Sequence, residues 1–135
     1  MHLEQAILAG LRMLVPDLDG LTACKTGALR CSAPRGQQSI GLHLQAADRT
    51  RGYLAVCLGR YTDTGKCAIA DSQMEIEIKL KAGAARALWW GESSHRAAGA
   101  GATEQAALND ALADWIGRLN AAGVRLMPAA EETAQ

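Results

Sequence analysis

Phenylalanine is absent, and the aromatic side chains amount to three Trp and two Tyr. A core must therefore come from Leu, Ile, Val and Met with a few Trp, because Ala supplies much of the remaining apolar content and buries little area. Neither charge sign dominates: 14 Lys and Arg stand against 14 Asp and Glu. Nothing global then argues for nucleic acid or an acidic membrane surface. No window approaches the roughly 20 apolar residues of a spanning helix. The opening residues carry Glu4 and lack the basic start and apolar run of a secretory signal. With four Cys and no such signal, a reduced cytoplasmic location is expected.

The arrangements that carry chemistry are missing as well. Cys24, Cys31, Cys57, Cys67, His43 and His95 include no ligand pair at zinc-knuckle spacing, two to four residues apart on the general pattern, so no metal is expected. Cys24 and Cys31 could face each other across a hairpin as a disulfide or half a metal site; the plainer reading is of small buried hydrophobes. Ser93, Ser94 and His95 are adjacent in sequence, which is not a triad, since the base must reach the nucleophile and be oriented in turn. The run Ala98-Gly-Ala-Gly-Ala102 has neither the Lys-Ser/Thr of a phosphate loop nor the third glycine of a dinucleotide fingerprint. Glu75 and Glu77 are about 7 Å apart on one strand face, but Lys79 and Lys81 continue the row as a mixed charged surface. The expectation is a chain that is not an enzyme and takes no cofactor, with a small hydrolase built on His95 or the carboxylates as an alternative.

What the chain does have is alternation. In Met74-Glu-Ile-Glu-Ile-Lys-Leu80 the apolar residues occupy every second position. Side chains alternate across a strand, so this run has one dry and one wet face, the mark of an antiparallel sheet covered on one side. Similar alternation predicts strands over Ser39–Gln45, Tyr53–Leu58 and Ala84–Trp90, separated by Gly-containing turns. Leu21–Cys24 and Ala28–Ser32 flank Lys25-Thr-Gly27 as a further expected hairpin. Leu3, Ile7, Leu11 and Leu14 share one face of an expected N-terminal helix, which Pro16 stops. A second helix is expected from about Thr103, with Leu108, Leu112, Trp115, Ile116 and Leu119 on its apolar face and Gly123 as its left-handed cap. Gly91–Ala102 reads as a loop, and Val124–Met127 as a short edge segment. The predicted class is α+β: N-terminal helix, antiparallel β-meander of about five strands, and C-terminal helix packed on one sheet face. Residues 1–128 would form one domain and 129–135 a disordered tail.

Two features suggest binding. Trp89 and Trp90 are neighbours in an expected strand, so one should enter the core and the other lie on the wetter face as an interface anchor. The segment 25–66 is basic, and Arg30, Arg35, Arg49, Arg51 and Arg60 would contact phosphates if the sheet gathered them. The chain beyond leans mildly acidic, which could give the folded surface two poles.

The helical segment Leu108-Asn-Asp-Ala-Leu-Ala-Asp-Trp-Ile-Gly-Arg-Leu-Asn-Ala-Ala-Gly123 resembles the C-terminal helix of the YqiB-like family of small bacterial proteins. Leu11-Arg-Met-Leu-Val-Pro-Asp-Leu18 is similar to that family's first helix, and Asp71-Ser-Gln-Met-Glu-Ile-Glu-Ile78 to a strand in other domains of phages and mobile elements. The family's Tyr-His-Asp turn after the strand is replaced here by Lys81-Ala-Gly83, so no role attached to it carries over. The resemblance implies an α+β fold and a bacterial or mobile-element origin, and implies no activity, cofactor or site. The expected function is a non-catalytic cytoplasmic domain that binds another protein; nucleic-acid binding through the basic segment is the alternative. A free sheet edge and an exposed Trp would also suit a homodimer.

Overall fold

The computed structural model describes residues 2–32, 38–62, 69–92, 95–98 and 102–128, the backbone alone at 38–39, 61–62, 69–72, 89–92, 95–98 and 102–104. Helix α1, Leu3–Leu14, begins where the His2 N–H donates to Gln5 Oε1 at 3.2 Å and ends where the Val15 N–H donates to the Leu11 carbonyl ahead of Pro16. Its buried side chains Ile7, Leu8, Leu11 and Leu14 follow the helical period of the sequence. Strands β1 (Leu29–Cys31), β2 (Gln38–Asp48), β3 (Tyr53–Thr62), β4 (Ile69–Lys79), β5 (Ala84–Glu92) and β6 (His95–Ala98) form an antiparallel meander. Helix α2, Ala102–Ala121, follows, and the two-residue β7, Met127–Pro128, pairs with β1. The sheet order is β6-β5-β4-β3-β2-β1-β7. The fold is the expected α+β arrangement, with the meander one strand wider.

Two segments differ from their sequence patterns. Leu18–Ala23 is a 3-10 helix in place of a strand over Leu21–Cys24. Leu18 and Leu21 are both buried, and side chains three apart eclipse on a 3-10 helix, so the pair closes one side of the core over β2 and β3. The hairpin that would have faced Cys24 toward Cys31 is therefore absent, and the two residues form no disulfide with each other. Within Gly91–Ala102, His95–Ala98 is strand β6, paired with Trp89–Glu92. A Gly/Ala/Ser-rich run lacks the alternation that announces a strand, and here ladder pairing with β5 supplies the order.

One apolar cluster joins Leu42, Leu54, Val56, Leu58, Ile76 and Ile78 from the sheet to α1, the 3-10 helix and Leu112 and Ile116 of α2. All of these helices lie on the same sheet face. Gly123, at φ +79°, turns the chain out of α2 in the left-handed conformation that glycine adopts freely, and the Val124 N–H caps the Leu119 carbonyl at 3.0 Å.

Helix α2 also closes a sheet edge. Strand β6 covers β5 only from Trp89 onward, which leaves the Ala87 amide facing outward. Asn109, buried in α2, accepts the Ala87 N–H on Oδ1 at 2.8 Å, and Gln105 Nε2 donates to the Ala87 carbonyl. Two side-chain amides thus supply the hydrogen bonds that a neighbouring strand would otherwise make.

Candidate functional site

The face opposite the helices carries no covering element among the described residues. Its rows follow from strand register. Ala46, Ala55, Glu77 and Arg86 lie side by side across β2–β5, as do His43, Cys57 and Glu75 one row on, and Gly41, Gly59 and Gln73 beyond them. At the other end, Asp48, Tyr53, Lys79 and Ala84 close the face.

Glu77 is the hub. Arg86 Nε donates to its Oε1 at 3.0 Å, the Tyr53 hydroxyl to its Oε2 at 3.4 Å, and Lys79 Nζ lies 3.8 Å from Oε1. Its side chain is 15% exposed, so these partners compensate a partly desolvated carboxylate. Burial, then the adjacent Glu77 charge, raises the Tyr53 phenol above its usual range. Glu75 and Glu77 thus form part of a mixed charged surface, as the sequence suggests.

Cys57 sits in the middle of the face, 4% exposed, with Sγ 3.2 Å from Gln73 Oε1. Burial, followed by the Glu75 charge, pushes its thiol up to about 12. A nucleophilic cysteine needs the opposite shift, so this thiol acts as a hydrogen-bond donor. The folded pKa lies above the ordinary 9.0; the folded state therefore keeps a proton that the unfolded chain loses. The stabilising contribution is full below pH 9.0 and falls away as pH rises toward about 12. In thiol labelling followed by mass spectrometry at pH 8, Cys57 is expected to stay unmodified in the native protein and to react in denaturant. Equal labelling in both states would contradict its placement.

The cationic residues are not gathered. Arg49 and Arg51 are exposed in the β2–β3 turn, where Lys81 Nζ donates to the Thr50 carbonyl. Arg60 is exposed near the far end of β3, about 30 Å from Arg51 at strand rise. Arg30 is 3% exposed and turns inward: its Nε meets Asp17 Oδ2 at 2.9 Å and Oδ1 at 3.1 Å, its Nη1 donates to the Leu29 carbonyl, and Nη2 lies 3.6 Å from Cys24 Sγ. It ties the 3-10 helix to β1 and offers nothing to a phosphate. Arg35 lies outside the described residues, as do Cys67, Ser93, Ser94 and the tail 129–135.

Trp89 and Trp90 are separated by register. Glu75 pairs with Trp89 and Met74 with Trp90, and a bulge between Glu75 and Ile76 leaves Leu88 unpaired. Trp89 therefore stands in the row of the open face and Trp90 in the row of buried Met74. Their side chains lie outside the described ones. Plain alternation from buried Ala85 and Ala87 would give the reverse; one extra residue exchanges the two.

Among the described residues no group of three His, Cys, Asp or Glu is placed to hold a metal ion, and no helix is long and apolar enough to cross a membrane. A depression of about 80 Å³ lined by Glu4, Glu77, Lys79, Ala84 and Arg86 is well short of the roughly 300 Å³ of a small-molecule site. No family model, curated protein or solved structure matches the chain.

Proposed function

We propose that this chain is a non-catalytic, cytoplasmic protein-binding domain, an accessory or regulatory factor that docks its partner on the open face of the sheet. The observation that carries this reading is the one-sided packing: α1, α2 and the 3-10 helix all join the cluster behind the sheet, and β2–β5 present ordered side chains on the other side. The four strands β2–β5, at about 4.8 Å spacing and some 24 Å of strand length, offer on the order of 450 Å². That is the scale of a small, transient contact. The Glu77 network holds its charges in place before binding, which lowers the ordering cost of association. A YqiB-like or mobile-element affiliation, as the sequence resemblance implies, would suit a small bacterial accessory protein.

The test is a photo-crosslinking amino acid at Ala55, in the middle of the face, compared with one at exposed Ala111 on α2. Irradiation of host cells is expected to give a discrete protein adduct from position 55 and none from 111. Adducts from 111 alone, or from neither, would sink the reading.

Nucleic-acid binding is the competing reading, and the exposed Arg49 and Arg51 in one turn favour it. Two phosphate contacts predict a shallow fall of log affinity with log salt, slope about −2 on duplex DNA. No binding at low salt would remove it.

A further inference from the structure

Asp48, Tyr53, Lys79 and Ala84 form the last row shared by β2–β5 at one end of the sheet. The β2–β3 turn and the β4–β5 turn therefore leave the sheet at the same level, about 10 Å apart at two strand spacings. Arg49 and Arg51 stand on the first turn, Lys79 and Lys81 at the start of the second, and all four are exposed. The five predicted arginines are scattered, yet two of them meet here the two lysines that continue the wet row of β4.

Backbone bonds tie the two turns together. The Leu80 N–H donates to the Gly52 carbonyl at 2.9 Å, and Lys81 Nζ donates to the Thr50 carbonyl. The Lys81 stem packs over Gly52, where a Cβ would lie 3.0 Å from Lys81 Cγ. The first turn has one carboxylate, Asp48, and its Oδ1 accepts the Arg51 N–H at 3.2 Å. Among the described residues Arg49, Arg51 and Lys81 have no carboxylate partner. Lys79 lies 3.8 Å from Glu77, a carboxylate that Arg86 already holds at 3.0 Å. Cations anchored this close repel one another, and an incoming anion relieves that repulsion.

We propose that this end of the sheet docks an acidic, extended segment of a protein partner. An extended chain advances about 3.3 Å per residue, so carboxylates two or three positions apart span the two turns. The guanidinium forks of Arg49 and Arg51 suit carboxylates in pairs of parallel bonds, and the lysines serve as point charges. Nucleic acid fits less well, because its affinity grows with the number of phosphates neutralised. A strand running beyond the turns along β4 would meet Glu77 and then Glu75, and on the β5 side Glu4 stands with Lys79 and Ala84 around a shallow depression. The cationic surface is thus short and edged by carboxylates. Exposed pairs are individually weak, so the platform mainly steers and orients the encounter. This proposal does not rest on the open-face reading: a crosslinker at Ala55 tests that face, and the experiment below tests the sheet end.

The test is a titration of the 15N-labelled full chain with a hexaglutamate peptide at low salt, followed by amide chemical shifts. Shifts are expected to concentrate in 48–53 and 79–83 and to fade as salt rises, since exposed charges are screened over about 10 Å at 0.1 M. Arg49→Glu combined with Arg51→Glu should weaken binding on the order of tenfold. If that variant fails to fold, Arg49→Gln with Arg51→Gln repeats the test without reversing charge. Arg60→Glu, exposed near the far end of β3, should leave the affinity within about twofold. Absence of shifts, shifts spread evenly over the surface, or equal losses from the turn and Arg60 variants overturns the proposal. A DNA duplex that binds the same turns more tightly than the peptide also overturns it and moves the platform to the nucleic-acid reading.

Discussion

Gly10→Val is expected to lower the melting temperature by on the order of 10 °C, a loss of about 3 kcal/mol. A Cβ at position 10 would lie 2.7 Å from Ile116 Cγ2, where α1 and α2 cross. Real Cβ contacts do not come so close, so the helices must separate. Their shared bond, from Asn120 Nδ2 to the Gly10 carbonyl at 3.0 Å, would lengthen with them. The Ile116 methyl is itself buried and has little room to retreat. Overpacking of a well-filled site typically costs about 1–3 kcal/mol, and the second methyl of valine adds to it. Gly10→Ala separates two effects of opposite sign. Alanine gains about 1 kcal/mol of helix propensity over glycine, yet its Cβ meets the same contact. A net loss is expected, read by thermal unfolding. Combining it with Ile116→Ala should cost less than the sum of the two single changes, because the second opens the space the first needs. Additive losses would mean that the helices do not meet at this point.

Asn109→Leu is expected to cost about 2–3 kcal/mol, although leucine has nearly the same size and a better helix propensity. The change leaves the Ala87 N–H buried without its 2.8 Å acceptor and deprives Gln105 of the Asn109 oxygen it approaches at 3.3 Å. An orphaned buried donor carries its full desolvation cost, whereas a lost exposed bond carries little. Stability alone would not identify the cause. Hydrogen exchange would: the Ala87 amide should lose protection beyond what the global destabilisation explains, while the Ile76 and Ile78 amides, bonded within the sheet, should follow the global change. An Ala87 amide that exchanges at the wild-type rate relative to its neighbours would remove α2 from its role at the β5 edge.

Asn109 also shows where sequence reasoning stops. The periodicity of 102–121 makes an amphipathic helix with Leu112 and Ile116 inward, and a buried Asn among them has no visible purpose until β5 is found to end its pairing at Trp89. Arg30 is similar. In sequence it is one of a series of basic residues; in the fold Asp17, thirteen residues earlier, reaches it and the charge goes inward. Burial of a charge depends on a partner, and partners across elements are not written in local pattern. The five candidate arginines could be named as residues but not as a surface, because the β3 strand separates Arg51 from Arg60 by its own length.

By itself the sequence determined the parts whose signal is local. Alternation over 74–80 sets a strand with one dry face, since side chains alternate whatever the strand pairs with. The three- and four-residue spacing of Leu3, Ile7, Leu11 and Leu14, stopped by Pro16, sets α1 in the same way, and Gly123 ends α2 at the residue where a positive φ is needed. Only tertiary structure decided the rest. Strand β6 exists because β5 lies beside it, and Leu18 and Leu21 wind into a 3-10 turn because the core beneath β2 and β3 accepts that spacing. Trp89 and Trp90 take their rows from a bulge opposite Glu75 and Ile76, and a bulge is a property of two strands together. The rows of the open face arise likewise from register between four strands, each of which, read alone, shows only its own alternation.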